Sequence, residues 1–172
     1  MQWVVIDKCY LDYLRSYDSR IPMSEYGADK FKPFFGTLFE ANGFHYVTQV
    51  SHPKPRHISM KQQKDFFKVF DPADPKRLLA IVNLNYMFPV PSSILEPLRK
   101  DDIEHHRSFK SESEKSKYID LLNRELTSIN KLNLTSAAIF CYNNKYALPD
   151  SKIAKRCLDF KALEEYAQQY QG

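Results

Sequence analysis

Residues 34–57 have the sequence FFGTLFEANGFHYVTQVSHPKPRH, which contains the clearest fold signal in the chain. Two runs rich in aromatic and β-branched residues, 34–40 and 44–50, flank the dipeptide Asn42-Gly43. Asn-Gly supplies the positive φ angles of a tight two-residue turn and is the strongest short-range signal for a β-hairpin. We therefore predict a hairpin whose second strand ends at Val50, with Ser51 starting a proline-stiffened loop, 51–57, that leaves the sheet.

Outward from this hairpin, strand patterns crowd the first half of the chain and helix patterns the second. Strands are predicted at 3–6, 66–70 and 78–83, and the run 86–90 either continues the last of these or starts a neighbour. Helices are predicted at 9–17 and after the capping residues Ser111, Asn133 and Asp159. The mixed-charge stretch 99–117 is interpreted as an exposed connection. This order predicts an α+β fold and excludes alternating βαβ units.

Length and composition favour a single globular domain over residues 1–172. Hydrophobic residues make up 43% and charged residues 27% of the chain, and the mean hydropathy is −0.52. Both fractions are ordinary for a soluble protein. No apolar run approaches the ~20 residues that a membrane helix needs, and the N-terminus has no signal-peptide pattern. A cytoplasmic location is therefore expected.

Positive charge is concentrated in one segment. Residues 41–64 contain no Asp or Glu but hold Lys54, Arg56, Lys61 and Lys64, whose combined charge equals the net charge of +4. Such a segment attracts anions. A solvated basic loop without a partner is the alternative interpretation.

The loop 51–57 contains the groups that metal-free RNA cleavage needs. The ribose 2′-hydroxyl is the nucleophile, so the protein supplies a base, a cation for the phosphorane oxygens and a hydroxyl to hold the phosphate. Histidine, lysine or arginine, and serine fill these roles. Two other hypotheses stay open: a non-catalytic RNA- or DNA-binding module using the same patch, and a metal-dependent nuclease using Asp101, Asp102, His105 and His106.

An ordered set of short motifs resembles the ToxN/AbiQ family, the toxins of type III toxin–antitoxin systems. Tyr-Leu-x-Tyr-Leu lies at 10–14, Asp-x-x-x-Pro at 18–22 and Gly-x-x-x-Glu at 36–40. A hydroxyl-x-Pro-Lys loop lies at 51–54, and Ile-x-Asn-Leu-x-x-Met-x-Pro lies at 81–89. Each motif is weak alone, whereas the set in this order is specific and extends over nearly the whole chain.

The resemblance implies a twisted, mainly antiparallel sheet with added helices around a Kid/MazF-like core. It further implies a sequence-preferring endoribonuclease that uses no metal or other cofactor and leaves a 2′,3′-cyclic phosphate and a 5′-hydroxyl. Its partner would be a repetitive, pseudoknotted antitoxin RNA, which it processes and which holds it inactive in a ring-like complex. Its substrates would be cellular or phage transcripts, cut in abortive infection.

Residue by residue, the resemblance makes Ser51 and Lys54 the core catalytic pair, with His52 third. Some relatives have a second hydroxyl where this chain has His52, so this residue is either the general base or a phosphate contact. His57 is a candidate acid or a structural histidine. The residues expected to bind RNA are Lys32, Tyr26, Tyr46, Arg56, His57 and Lys61.

Overall fold

The structure is a computed structural model that describes residues 1–171. Its strands are β1 (Gln2–Ile6), β2 (Phe34–Gly36), β3 (Glu40–Ala41), β4 (Phe44–Ser51), β5 (Phe66–Phe70), β6 (Leu78–Asn83), β7 (Phe88–Val90) and β8 (Leu95–Pro97). Its helices are α1 (Lys8–Tyr17), α2 (Pro55–Ser59), α3 (Ile103–His106), α4 (Glu112–Ile129), α5 (Leu134–Ala147), α6 (Lys152–Arg156) and α7 (Phe160–Ala167).

The strands form one antiparallel sheet centred on β4. Its order is β5-β6-β4-β2-β1-β8, and both β3 and β7 also pair with β4. The predicted hairpin is confirmed, because Asn42 and Gly43 have φ angles of 52° and 82° between β3 and β4. The α+β class and the mainly antiparallel sheet are confirmed as well.

Helices start after the three predicted capping residues, but the Asn133 side chain makes no capping hydrogen bond, and Asp7 caps α1 without having been predicted. The Asp7 carboxylate accepts a hydrogen bond from the Tyr10 N–H at 3.1 Å and caps α1. Ser111 and Asp159 cap α4 and α7 in the same way. Each cap satisfies a backbone donor that the first helical turn leaves without a partner. None of the helices within residues 1–171 is long and apolar enough to cross a membrane.

Long-range hydrogen bonds fix α4 and the segment 23–32 beside the end of β4. The Trp3 indole N–H donates to the Leu122 carbonyl at 2.9 Å, and the Tyr118 hydroxyl donates to the Phe31 carbonyl at 2.7 Å. The Gln49 side-chain amide of β4 donates to the Lys32 carbonyl at 2.8 Å. The chain before β2 therefore lies against the strand that carries Ser51.

Two boundaries differ from the sequence prediction. Ser51 is the last residue of β4, paired with Ile81, and the helix α2 starts at Pro55 within the predicted loop. Proline is favoured at the first helical position because its φ angle is preset and that position needs no N–H donor. The run 86–90 starts a neighbouring strand, β7, after a 3-10 turn.

The stretch 99–117 is mostly exposed, as predicted, but it is anchored to the core. It contains α3, whose Ile103 side chain is buried in the core. The Arg107 guanidinium lies 4.4 Å from the Tyr118 ring centroid and pairs with Glu114 at 2.8 Å. The charged residues around Ile103 obscured this anchor in the sequence.

Candidate active site

The end of β4 and the short connection to α2 form one wall of an open cavity of about 530 Å³. Ser51 is held in the sheet by its pairing with Ile81, and His52 follows it directly. Ser51, His52 and Lys54 all line this cavity, and all three are exposed. The structure therefore brings the three residues predicted to be catalytic to one surface.

His57 fixes the conformation of this connection. Its ring is buried, and Nδ1 accepts a hydrogen bond from the Lys54 backbone N–H at 2.9 Å. The His57 N–H donates in return to the Lys54 carbonyl at 2.8 Å. The Arg56 Nε atom lies 3.3 Å from the other ring nitrogen, Nε2. A neutral imidazole has only one accepting nitrogen, so the shorter contact at Nδ1 is taken as the hydrogen bond and the proton is assigned to Nε2.

Burial, followed by the charges of Arg56, Lys54 and Lys68, lowers the pKa of His57 and favours the neutral ring. Of the two roles that the sequence left open for His57, this contact fits the structural one, whereas its contact with RNA stays a prediction. Its ring, although at the cavity wall, is used to hold the backbone at Lys54.

The cavity carries cations that no carboxylate neutralises. Within residues 1–171, Lys54 and Arg56 have no carboxylate oxygen within 4.0 Å, and both line the cavity. Arg156 joins the same wall from the end of α6, where it pairs with the buried Asp65 at 2.7 Å. Sequence reasoning missed both residues: Arg156 lies 99 positions after His57, and Asp65 directly follows the acid-free segment 41–64, but its pairing with Arg156 joins distant parts of the chain.

A second cavity, of about 740 Å³, lies on the other side of Ser51 and His52, which line both. Lys32 and Tyr26 line it, with the Lys32 Nζ 5.2 Å from the Tyr26 ring centroid. Lys32 and Tyr26, both predicted to bind RNA, thus line the same groove as Ser51, although they lie far from the loop in sequence. Glu125 of α4, which the sequence analysis did not single out, also lines it.

Tyr46 does not face either cavity, so its expected contact with RNA is corrected. Its side chain is 0% exposed, and its hydroxyl donates to Glu164 Oε1 of α7 at 2.6 Å. The Phe39 ring stacks on it with centroids 4.6 Å apart. Tyr46 therefore joins the sheet to α7, and no ligand can reach it in this structure.

Lys61, His105 and His106 do not line these cavities. Lys61 is exposed beyond α2 and lines neither of them. His105 lies 4.0 Å from Asp102, and His106 stacks on Phe31. Across residues 1–171, no three His, Cys, Asp or Glu side chains are grouped as metal ligands. The residues of the metal-dependent hypothesis therefore do not form a ligand set.

Chemically, the cavity around Ser51 suits a phosphodiester. A hydroxyl, an imidazole and an ammonium group line one concave surface, and the neighbouring cations attract phosphate. The adjacent groove offers an exposed tyrosine for stacking with an unpaired base. Such a surface can bind single-stranded RNA and stabilise charge that develops at its phosphate.

The chain is similar to known proteins in sequence and in fold. In sequence, the chain is 29% identical over 92 residues to the endoribonuclease ToxN of Pectobacterium atrosepticum. That alignment covers 52% of the chain and 54% of the relative, so the match spans about half of the length of each protein.

Two solved structures share the fold over nearly the full chain. The structure of AbiQ, a lactococcal anti-phage endoribonuclease of a type III toxin–antitoxin system, has a TM-score of 0.76 and 20% identity, and covers 98% of this chain and 96% of that one. A structure described as a type III system with selective toxin inhibition by a non-coding RNA pseudoknot also has a TM-score of 0.76, with 21% identity and the same coverage.

The family model for the toxin ToxN of type III toxin–antitoxin systems matches residues 2–168. This match covers every element of the sheet and all seven helices. The chain therefore belongs to the ToxN toxin family.

Proposed function

We propose that this chain is a metal-independent endoribonuclease toxin of a type III toxin–antitoxin system. The observation that carries the proposal is the meeting of Ser51, His52 and Lys54 on one exposed cavity wall, beside cations with no carboxylate partner. These are the residues at which the resemblance to the family predicts catalysis. Membership of the family and the basic, acid-free segment 41–64 support the same substrate, RNA.

In this proposal the RNA supplies its own nucleophile. His52 accepts the proton of the 2′-hydroxyl, the 2′ oxygen forms a bond to phosphorus, and the bond from phosphorus to the 5′ oxygen breaks. The 5′ oxygen takes a proton from solvent water, which reaches the exposed loop. Ser51 donates a hydrogen bond to a phosphate oxygen, and Lys54 stabilises the charge that grows on the phosphorane. The products carry a 2′,3′-cyclic phosphate and a 5′-hydroxyl.

The proposed inhibitor is a repetitive, pseudoknotted antitoxin RNA that the toxin also processes from its precursor. A pseudoknot RNA inhibits the toxin in one solved structure of the same fold, and a processed non-coding RNA is described for another, with a TM-score of 0.80. Repeats and toxins are proposed to close into a ring-like complex. The released toxin would cut cellular or phage transcripts.

The test is RNA cleavage by the purified protein in EDTA. The proposal predicts cut products that carry cyclic phosphates, and it predicts loss of cleavage in the double variant Ser51→Ala, Lys54→Ala. Both side chains are exposed, so this variant should retain the fold, which circular dichroism checks. Cleavage that proceeds unchanged in the variant contradicts the site assignment, and cleavage that EDTA abolishes contradicts the chemistry.

The second candidate is a non-catalytic RNA-binding module that uses the same cavity. One observation favours it: within residues 1–171, neither the Ser51 hydroxyl nor the His52 ring has a hydrogen-bond partner that would orient it for catalysis. This candidate predicts RNA binding that weakens steeply with salt, together with no cleavage products under any condition. A single gel of RNA incubated with protein therefore separates the two functions.

A further inference from the structure

Arg156, at the end of α6, brings a guanidinium to the wall of the cavity of about 530 Å³. Its side chain is exposed and lines the same cavity as Ser51 and Lys54. The chain around it is fixed, because the Leu158 N–H donates to the Asn85 carbonyl at 3.0 Å and ties the end of α6 to the 3-10 turn after β6. The packing of α6 therefore places a further cation beside the residues predicted to be catalytic.

Three hydrogen bonds fix the orientation of this guanidinium. Nε and Nη2 of Arg156 donate to Asp65 Oδ2 at 3.0 and 2.7 Å, and Nη2 also donates to Gln63 Oε1 at 3.1 Å. Asp65 is 2% exposed, so it is a buried and fixed acceptor. In the part of the chain that the structure describes, Nη1 donates no hydrogen bond. Its two N–H groups are therefore available to a substrate.

The geometry of this ion pair is not the one that would satisfy Asp65 best. Arginine and a carboxylate frequently form two parallel hydrogen bonds that use both carboxylate oxygens. Here both bonds from Arg156 converge on Oδ2, and Oδ1 is buried without a hydrogen-bond partner among residues 1–171. An unpaired buried oxygen is costly, so a pair with a purely structural role would be expected to use it. The observed arrangement instead leaves Nη1 unpaired on a residue that lines the cavity.

We propose that Arg156 is a catalytic residue whose Nη1 N–H groups bind a non-bridging oxygen of the scissile phosphate, and that Asp65 and Gln63 position its guanidinium. This role rests on the proposed function, in which Ser51 and Lys54 hold the same phosphate.

The non-bridging oxygens gain negative charge as the 2′ oxygen bonds to phosphorus. A guanidinium that is already oriented stabilises this phosphorane more than it stabilises the bound RNA. The carboxylate of Asp65 offsets part of the positive charge, so the gain comes mainly from two oriented N–H donors. Arginine keeps its proton in proteins, so Arg156 does not protonate the 5′ oxygen.

The test replaces one phosphate oxygen at a time by sulfur. Two RNAs carry a single phosphorothioate of Rp or Sp configuration at the cleavage position mapped with the wild type, and a third RNA contains oxygen only. Single-turnover cleavage in EDTA gives, for each protein, the ratio of the oxygen rate to each sulfur rate. Each ratio comes from one protein sample, so partial unfolding affects both rates equally.

The variants are Arg156→Met, Asp65→Asn and a matched control, Lys155→Met. Lys155 is the neighbour of Arg156 in α6, and it is exposed but lines neither cavity. The control therefore removes one positive charge from the same helix without touching the proposed site.

In the wild type, sulfur of one configuration should slow cleavage about tenfold, because sulfur accepts a weaker hydrogen bond from the guanidinium. Arg156→Met should cleave the oxygen RNA about 100-fold more slowly and should lower this ratio by a factor of about three or more. Asp65→Asn should lower the ratio too, because an uncharged amide holds the guanidinium less firmly, whereas a purely structural Asp65 would leave it unchanged. Lys155→Met should keep the wild-type rate and ratio.

The same measurements separate this role from the proposed function. Cleavage by the wild type with sulfur ratios that Arg156→Met leaves unchanged, or equal oxygen rates for Arg156→Met and Lys155→Met, supports the nuclease and overturns the role of Arg156. A ratio that only Asp65→Asn leaves unchanged overturns the positioning role of Asp65. Absence of any cleavage by the wild type contradicts the nuclease itself, and the catalytic role of Arg156 with it.

Discussion

Replacing Lys54 by Ala should slow RNA cleavage by a factor of about 10² to 10³. The phosphate gains close to one unit of negative charge as the phosphorane forms, and a cation about 4 Å away stabilises that charge by ~4 kcal/mol at an effective dielectric constant near 20. Lys54 lines the cavity without a carboxylate within 4.0 Å, so its charge is available to the substrate. Loss of one such group costs about 2.7–4 kcal/mol.

The matched control is Lys61→Ala. Both substitutions remove one positive charge from the same acid-free segment, and both side chains are exposed, but Lys61 lines neither cavity. Their effects on non-specific RNA binding should therefore be similar. Single-turnover cleavage rates, measured in EDTA with saturating protein, isolate the chemical step. Equal slowing by the two substitutions, or a rate for Lys54→Ala within threefold of the wild type, would show that Lys54 does not stabilise the phosphorane.

Three further substitutions test how the site is held together. Tyr46→Phe removes the buried hydrogen bond to Glu164 and should lower the free energy of unfolding by about 1.5–3 kcal/mol in urea titrations. The cleavage rate of the folded protein should not change. Slower cleavage by the folded variant would restore a role for Tyr46 in RNA binding. Arg156→Met leaves the buried Asp65 without its ion pair and should cost about 1–3 kcal/mol of stability, and an unchanged urea midpoint would contradict this.

The pKa of His57 in the folded protein lies below its ordinary value of 6.5, so the unfolded chain binds more protons at this residue. The free energy of unfolding should therefore fall as the pH drops below 6.5. His57→Gln should flatten this dependence between pH 7.5 and 5.5, whereas equal slopes for the two proteins would show that other groups cause it.

Local signals in the sequence predicted most of the fold. Asn42-Gly43 forms the predicted turn, and Ser111 and Asp159 cap helices by accepting a hydrogen bond from the backbone N–H three residues later. These interactions join residues only a few positions apart, so a local sequence pattern can predict them. The pairing of both β3 and β7 with β4 joins distant segments, and no local pattern encodes it.

The sequence predicted those residues of the candidate site that are neighbours in the chain. Ser51, His52 and Lys54 lie together in the chain and on the cavity wall. Glu125 and Arg156 reach the cavities only through the packing of α4 and the placement of α6, so the sequence analysis passed over them. Conversely, Tyr46 is of a residue type that often lines RNA-binding grooves, but its side chain is buried and its hydroxyl donates to Glu164, 118 positions later in the chain.

A mass measurement of the cleavage products tests whether the ribose itself attacks the phosphate held at Ser51 and Lys54. An RNA is cut in EDTA, and a second RNA carries a single 2′-deoxy nucleotide at the mapped cleavage position. We expect a 5′ fragment with the mass of a 2′,3′-cyclic phosphate from the first RNA, and no cleavage at the deoxy position in the second. A linear phosphate formed directly, or cleavage at the deoxy nucleotide, would contradict it.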